Sequence, residues 1–171
     1  MQMTDLRRFL LHLAAVLLLA VAAPAHALCT IVCSCSVSTS NVTFGNHNPL
    51  SSTNNDAVGN VRVACAGVVG LAIPYRIDIT KGSGPSYANR RLTSGVNTMA
   101  YNLYTDINRT LVWGDGTGST SYGSGNIGLD VLGTSPPVDH PVYGRIPGPQ
   151  TTVVPSLTPY TDSISVTLTY Y

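Results

Sequence analysis

Residues 163–171, the last segment of the chain, alternate polar and apolar side chains without interruption. This period of two predicts a half-buried β-strand, because successive side chains of a strand point to opposite faces. The chain ends on this strand, so its neighbour must be an earlier segment of the same chain or a strand of another protein. The apolar face of the predicted strand carries Ile164, Val166, Leu168 and Tyr170.

From residue 28 onwards, the chain before this strand consists of short runs of alternating polar and apolar residues separated by turn residues, a pattern that is typical of a β-sandwich. Five prolines between residues 136 and 149 exclude a central strand there, so residues 142–146 are expected at a sheet edge. Pro74 likewise favours an edge position or a bulge, and the glycine-rich residues 114–125 a loop or hairpin tip. The predicted strands are residues 36–44, 57–66, 71–80, 99–105, 109–113, 127–132, 151–154 and 161–171.

The N-terminal residues 1–27 have the pattern of a secretory signal peptide. Arg7 and Arg8 precede a short apolar run, and Ala25-His26-Ala27 matches the small-x-small cleavage pattern. The apolar run is shorter than a membrane-spanning helix requires, so we expect cleavage rather than membrane insertion. Residues 28–171 then form one exported domain, destined for the periplasm, the cell surface or the medium.

Composition and cysteine usage agree with export. The chain has a formal net charge of +1 and a single lysine, Lys81. This charge distribution does not indicate a basic surface for nucleic-acid binding. All four cysteines lie in the exported part, where disulfides persist. Cys35 opens one predicted strand and Cys65 closes the next, so a bridge between them would join adjacent strands. Cys29 and Cys33 would then pair locally or with another molecule, and the spacing matches no zinc site.

No motif indicates catalysis, a cofactor or a metal. The two histidines of the mature part, His47 and His140, are predicted in a turn and a loop, and no nucleophile elbow precedes a helix. Asp78 lies within a predicted strand and is expected to pair with an arginine. Asp115 lies in a glycine-rich loop that enters no helix, which argues against phosphate binding and leaves calcium as the minor alternative.

A series of short motifs follows in order along the chain. They are Phe44-Gly45-x-x-x-Pro49, Val61-Arg62-Val63-Ala64-Cys65, Tyr75-Arg76-Ile77-Asp78-Ile79-Thr80, Arg91-Leu92, Tyr101-Asn102-Leu103-Tyr104-Thr105-Asp106, Trp113-Gly114-Asp115-Gly116, Val142-Tyr143-Gly144-Arg145-Ile146-Pro147-x-x-Gln150 and Tyr160-x-Asp162-x-Ile164-x-Val166. In this order and spacing the motifs resemble the spore coat protein U domain family, which includes subunits of archaic (Csu-type) chaperone–usher pili. The resemblance implies an immunoglobulin-like sandwich that lacks its final strand and has a hydrophobic groove beside the C-terminal strand. A periplasmic chaperone would fill the groove first, and another pilus subunit would replace it at the outer-membrane usher.

Matched residue by residue, the resemblance assigns Cys35 and Cys65 to a disulfide and the apolar residues of 163–171 to the edge that accepts the strand. His47 stands where the family commonly has tyrosine. Only residues 28–34 precede Cys35, which is too short for a donor strand, so we expect a subunit that receives a strand without giving one. A tip or minor pilus subunit fits this expectation.

The sequence therefore predicts a non-enzymatic pilus subunit that serves surface adhesion and biofilm formation. Two alternatives stay open. One is a secreted carbohydrate-binding module that uses the tyrosines and residues 113–125, with a glycan or another surface as ligand. The other is a structural coat or matrix protein. A stable monomer with saturable glycan binding would favour the module, whereas dependence on a chaperone would favour the pilus subunit.

Overall fold

The computed structural model describes residues 33–67, 72–130 and 132–171. The predicted signal peptide and Cys29 lie outside these residues. The described chain contains eight strands and a short 3-10 helix: β1 Ser34–Ser40, β2 Asn55–Ala66, β3 Ala72–Ile79, η1 Tyr87–Asn89, β4 Arg90–Ser94, β5 Asn97–Tyr104, β6 Gly123–Gly128, β7 Val138–Ile146 and β8 Val166–Tyr170. No helix in this part of the chain is long and apolar enough to cross a membrane.

The strands form two antiparallel sheets that pack face to face. One sheet has the order β1-β2-β7-β5-β4 and the other the order β6-β3-β8. The inner faces carry the apolar half of each alternation, such as Val61 and Val63 on β2 and Ile73 and Ile77 on β3, all of them almost completely buried. These side chains fill the space between the sheets, as in other β-sandwiches. The predicted all-β sandwich is confirmed.

The prediction of an edge strand at residues 142–146 is wrong. β7 begins earlier, at Val138, and lies between β2 and β5. The proline at its centre, Pro141, is tolerated because β5 pairs only with Tyr143, Gly144 and Arg145, so β2 alone flanks Pro141. His140 therefore lies in a strand and not in a loop.

Pro74 also lies in a central strand, contrary to the expectation of an edge position. It is near the start of β3, between β6 and β8. Its carbonyl accepts the backbone N–H of Tyr171. The Pro74 carbonyl faces β8 at the end of the β3–β8 ladder, and the missing N–H of the same residue would face the same side. The proline therefore interrupts no run of hydrogen bonds in that ladder.

Three other strand predictions need correction. Residues 109–113 are not a strand, because the Asp106 carboxylate accepts the N–H groups of Thr110 and Leu111 and closes a turn. Residues 151–154 form a turn and a coil. β6 begins inside the predicted loop 114–125 and ends at Gly128, so residues 127–132 overlap it only in part. β4 was missed, because its charged sequence Arg-Arg-Leu-Thr-Ser gives little alternation.

The predicted Cys35–Cys65 disulfide is confirmed. The two residues are direct cross-strand partners in the β1–β2 ladder, with their Cα atoms 4.1 Å apart. The bridge ties β1, an edge strand, to the interior strand β2. Cys33 is also disulfide-bonded.

Candidate functional site: an open groove beside the last strand

The strand β8 is paired along one edge only. Among the described strands its partner is β3, with Val166 opposite Ile79 and Leu168 opposite Ile77. The Thr80 N–H donates to the Ser165 carbonyl at 3.0 Å, which places the hydrogen-bonding groups of odd-numbered residues towards β3. In an antiparallel ladder the next residues point the other way. The N–H and C=O groups of Ile164, Val166, Leu168 and Tyr170 therefore face the unpaired edge.

These four residues are the ones that the sequence predicted for strand acceptance. Their side chains are half-buried and pack against the hydrophobic core, whereas the threonines between them are exposed. The same residues thus combine a partly uncovered apolar side chain with backbone groups that form no ladder with any strand of the described structure. An edge of this kind is a template for another strand.

A groove of about 1070 Å³ opens next to the first part of this edge. Residues 39–47, which include the end of β1, form one wall, and residues 153–166 form the other. Ile164 and Val166 line the groove, whereas Leu168 and Tyr170 do not; β8 also approaches β1. The floor is apolar core: Ile79, Leu92, Met99, Tyr101, Leu103, Val142 and Ile146.

The wall opposite β8 packs closely onto the sheet beneath it because Gly144 of β7 has no Cβ. The β1–β2 ladder ends at Ser40, and residues 41–45 continue outside any ladder. The side chains of Val42 and Phe44 pack onto β7, where a Cβ at Gly144 would lie 2.5 Å from Val42 Cγ1 and 2.8 Å from Phe44 Cζ. Phe44 also contacts Tyr101 edge to face, with ring centroids 6.1 Å apart. The wall formed by residues 41–45 therefore runs outside any ladder, and its Phe44 carbonyl accepts the side-chain amide of Asn55.

The groove carries almost no charge. Asp162 is the only acidic residue among the residues that line it, and none of them is lysine or arginine. Tyr101 Oη donates a hydrogen bond of 2.6 Å to Asp162, and burial raises the pKa of Tyr101. A groove with an apolar floor, a single carboxylate and the unpaired edge of β8 along one side fits a β-strand with alternate apolar side chains far better than a charged small molecule.

The two histidines have structural surroundings. His140 Nε2 and Tyr75 Oη are 2.7 Å apart, so this pair links the two sheets, and burial lowers the pKa of His140. His47 is half-buried at the groove wall, and its Nε2 has no hydrogen-bond partner within the described residues. Neither histidine is placed with a nucleophile and a carboxylate as a hydrolytic triad requires.

Of the two aromatic residues in 113–125, Trp113 is buried, whereas Tyr122 is 44 % exposed and the Arg76 guanidinium lies 3.9 Å from its ring centroid. Trp113 is 1 % exposed and its indole N–H donates to the Ile77 carbonyl at 3.1 Å, so the ring cannot stack on a sugar. The Asp115 carboxylate accepts the backbone N–H and the hydroxyl of Thr117. In the part of the chain that the structure describes, no group of three or more His, Cys, Asp or Glu residues is placed to hold a metal ion.

Two further polar positions explain motifs of the sequence. The predicted pairing of Asp78 with an arginine is confirmed, because Arg76 Nε lies 2.7 Å from its carboxylate. Gln150, which sequence reasoning did not interpret, uses its side-chain amide to pair with the backbone N–H and C=O of Ala100 where β7 has ended. Only the spacing of Gln150 after Ile146 could have indicated this role.

Comparison with known proteins identifies the family. The sequence profile of the Spore Coat Protein U domain matches residues 20–167. The chain belongs to this family. The predicted resemblance is thereby confirmed, and the prediction of a non-enzymatic protein agrees with membership of a family of structural proteins.

Two relatives illustrate the likeness. Protein U of Myxococcus xanthus is 35% identical over 91 residues, which cover 52% of this chain and 45% of that protein. A chain of the CsuC–CsuE chaperone–tip adhesion subunit pre-assembly complex, from the archaic chaperone–usher Csu pili of Acinetobacter baumannii, is similar in structure. Its TM-score is 0.53 at 18% identity, over 81% of this chain and 40% of that one. This chain thus spans less than half the length of either relative, and the structural likeness confirms the immunoglobulin-like fold.

Proposed function

We propose that this chain is a pilus subunit of the chaperone–usher type, and that a β-strand from a partner completes its sandwich. The observation that carries the proposal is the unpaired edge of β8 beside an apolar groove. Membership of the Spore Coat Protein U domain family and the likeness to a chain of a chaperone–tip subunit complex support it.

The incoming strand binds by β-augmentation. Its backbone pairs with the N–H and C=O groups of Ile164, Val166, Leu168 and Tyr170, and its alternate side chains enter the groove. On its other side it meets residues 41–45, whose backbone is outside any ladder. The strand therefore pairs with the outward-facing backbone groups of β8 and covers the apolar floor in one step, which combines hydrogen bonding with hydrophobic burial.

The partners follow from the proposal. Residues 1–27 direct export, and residues 28–171 fold in the periplasm with a chaperone that lends the first strand. The outer-membrane usher then exchanges it for a strand of another subunit, and the assembled pilus serves adhesion and biofilm formation at the cell surface. A donor strand from this chain would have to precede Ser34, the first residue of β1. Cys33 lies in that stretch and is disulfide-bonded, so it is not free to extend into another subunit. A subunit that accepts a strand but gives none is suited to the tip or to a minor position.

Expression in a periplasm with and without a chaperone of this class tests the proposal. With the chaperone we expect a soluble one-to-one complex, in which the chaperone protects the edge of β8. Without it we expect aggregation, proteolysis or association through the same edge, because an open strand edge beside an apolar groove is a site of non-specific pairing. Accumulation of a folded monomer that takes up no strand would overturn the proposal.

A structural coat protein is the second candidate, and the family's description together with the identity to protein U favours it. Immunogold microscopy of the producing cell separates the two. A pilus subunit labels thin surface filaments, whereas a coat protein labels a continuous layer around the cell or spore.

A further inference from the structure

The chain crosses from one sheet to the other immediately before β8. Thr161 exchanges two backbone hydrogen bonds of 2.8 and 2.9 Å with Thr93 of β4, in the five-stranded sheet. Ser165 then pairs with Thr80, directly after β3 in the other sheet, through the Thr80 backbone N–H and hydroxyl. Asp162 lies within this crossover, two residues before the first residue of the unpaired edge, Ile164.

The carboxylate of Asp162 joins the elements on both sides of the crossover. Its Oδ1 accepts the backbone N–H groups of Ser83 and Ser163, each at 2.9 Å, and its Oδ2 accepts the hydroxyl of Tyr101 at 2.6 Å. Ser83 lies in the turn after β3, and Tyr101 is on the inner face of β5 and lines the groove floor. The turn leaves room for the carboxylate because Gly82, with φ of 63°, has no Cβ at the point where it contacts Asp162.

A buried positive charge lies within electrostatic range of this carboxylate. Arg90 is 0 % exposed and donates to the Thr80 and Trp113 carbonyls and to Asn102 Oδ1. Burial lowers the pKa of this guanidinium, and Asp162 is one of several groups that oppose this shift. Charge-assisted hydrogen bonds are shorter and stronger than neutral ones, so the three bonds to Asp162 are well suited to hold an exact geometry.

We propose that Asp162 is a positioning residue for strand acceptance. It holds the start of the unpaired edge at a fixed place relative to Tyr101, so that Ile164 and Val166 already face the groove before a strand arrives. Because the edge is already ordered in the free subunit, binding loses less conformational entropy and the complex is more stable. A bound strand therefore dissociates more slowly. This inference rests on the proposed function of the groove and assigns a role to a residue that does not itself pair with the strand.

The test compares Asp162→Asn and Tyr101→Phe with the matched control Asp130→Asn. The Asp130 carboxylate also accepts two backbone N–H groups, from Leu132 and Thr134, but it does not line the groove. The probe is a fluorescent peptide of alternating valine and threonine, about ten residues long. We expect both groove variants to raise its dissociation rate about tenfold. Asp130→Asn should leave the rate unchanged.

A second measurement separates this inference from the proposed function. Amide hydrogen exchange without peptide should be faster at Ser83 and Ser163 in Asp162→Asn, with β2 amides unchanged. If the wild type binds no peptide, the proposed function fails and exchange alone decides on Asp162. Unchanged dissociation rates and exchange, or equal effects in the control, would overturn the inference. If Asp162→Asn does not fold, Tyr101→Phe, which removes one hydroxyl, carries the test.

Discussion

The backbone N–H of Leu168 offers the sharpest perturbation of the unpaired edge. It points away from β3, so the free subunit makes no ladder hydrogen bond with it in the described structure. Replacing Leu168 with its α-hydroxy analogue substitutes an ester for this amide and removes the donor while the side chain stays. A partner strand would lose one hydrogen bond, whereas the β3–β8 ladder would keep all its donors and have only the Thr167 carbonyl weakened as an acceptor.

The expected magnitude follows from the value of one backbone hydrogen bond. A net contribution of about 1 kcal/mol corresponds to an affinity for the valine–threonine peptide that is about fivefold weaker. The matched control is the same replacement at Thr167, whose N–H faces β3 opposite Asp78. The control should lower the free energy of unfolding by about 1 kcal/mol, and it should weaken peptide binding less than the Leu168 replacement does, through the Val166 carbonyl that becomes an ester.

Fluorescence anisotropy measures the affinity, and urea denaturation measures the free energy of unfolding. The ester carbonyl is a weaker acceptor in both variants, so the decisive quantity is the difference between them. Equal affinities for the two variants, or weaker binding by the Thr167 variant alone, would refute the assignment of the two edges of β8.

Three further results are expected. Replacing Cys35 and Cys65 with alanine should lower the free energy of unfolding in urea by about 3.6 kcal/mol, because the bridge closes a loop with a sequence separation of 30 residues; an unchanged midpoint would contradict this. Burial lowers the pKa of His140, so its contribution to stability is present above pH about 6.5 and is lost as the pH falls through the folded-state pKa. The urea midpoint of the wild type should therefore fall over this pH range, and His140→Gln should flatten the fall. An unaltered pH dependence in the variant would exclude His140 as its source. Gly144→Ala should displace the groove wall and weaken peptide binding, whereas Gly128→Ala, with nothing within 4 Å of the added Cβ, should not; equal binding by both variants would disprove the packing role.

The sequence was sufficient where local alternation coincides with burial. β3 was predicted close to its observed bounds, and the predicted strand 161–171 contains β8 but begins five residues before Val166; both have apolar residues at every second position facing the same core. The Cys35–Cys65 bridge was predictable because the two cysteines border strands that follow each other along the chain, and these strands pair with each other in the structure. Asp78 was correctly expected to pair with an arginine, which proved to be its near neighbour on the same strand face.

Local reasoning failed where tertiary contacts override propensity. The prolines around β7 suggested an edge, but the rule applies to each side of a strand separately, and Pro141 has a neighbour on one side only. β4 is held by its pairing with β5 and by the buried guanidinium of Arg90, neither of which has an apolar signature. Residues 109–113 do not form the predicted strand because the Asp106 carboxylate closes a turn there.

The candidate site was predictable only in part. The apolar face of residues 163–171 was evident from the sequence, and the structure places Ile164 and Val166 in the groove. The groove itself is assembled from segments far apart in the chain, so no window of sequence contains it. The Tyr101–Asp162 contact spans a sequence separation of 61 residues, and its importance emerges only from the crossover between the sheets.

Amide hydrogen exchange, measured by NMR with and without the valine–threonine peptide, tests the central claim most directly. If a partner strand lies along the unpaired edge, the peptide should slow the exchange of Ile164, Val166, Leu168 and Tyr170 most strongly. The amides at 165, 167, 169 and 171 already face β3 and should change much less. Protection that is equal at odd and even positions, or confined to residues outside β8 and the groove, would contradict the account.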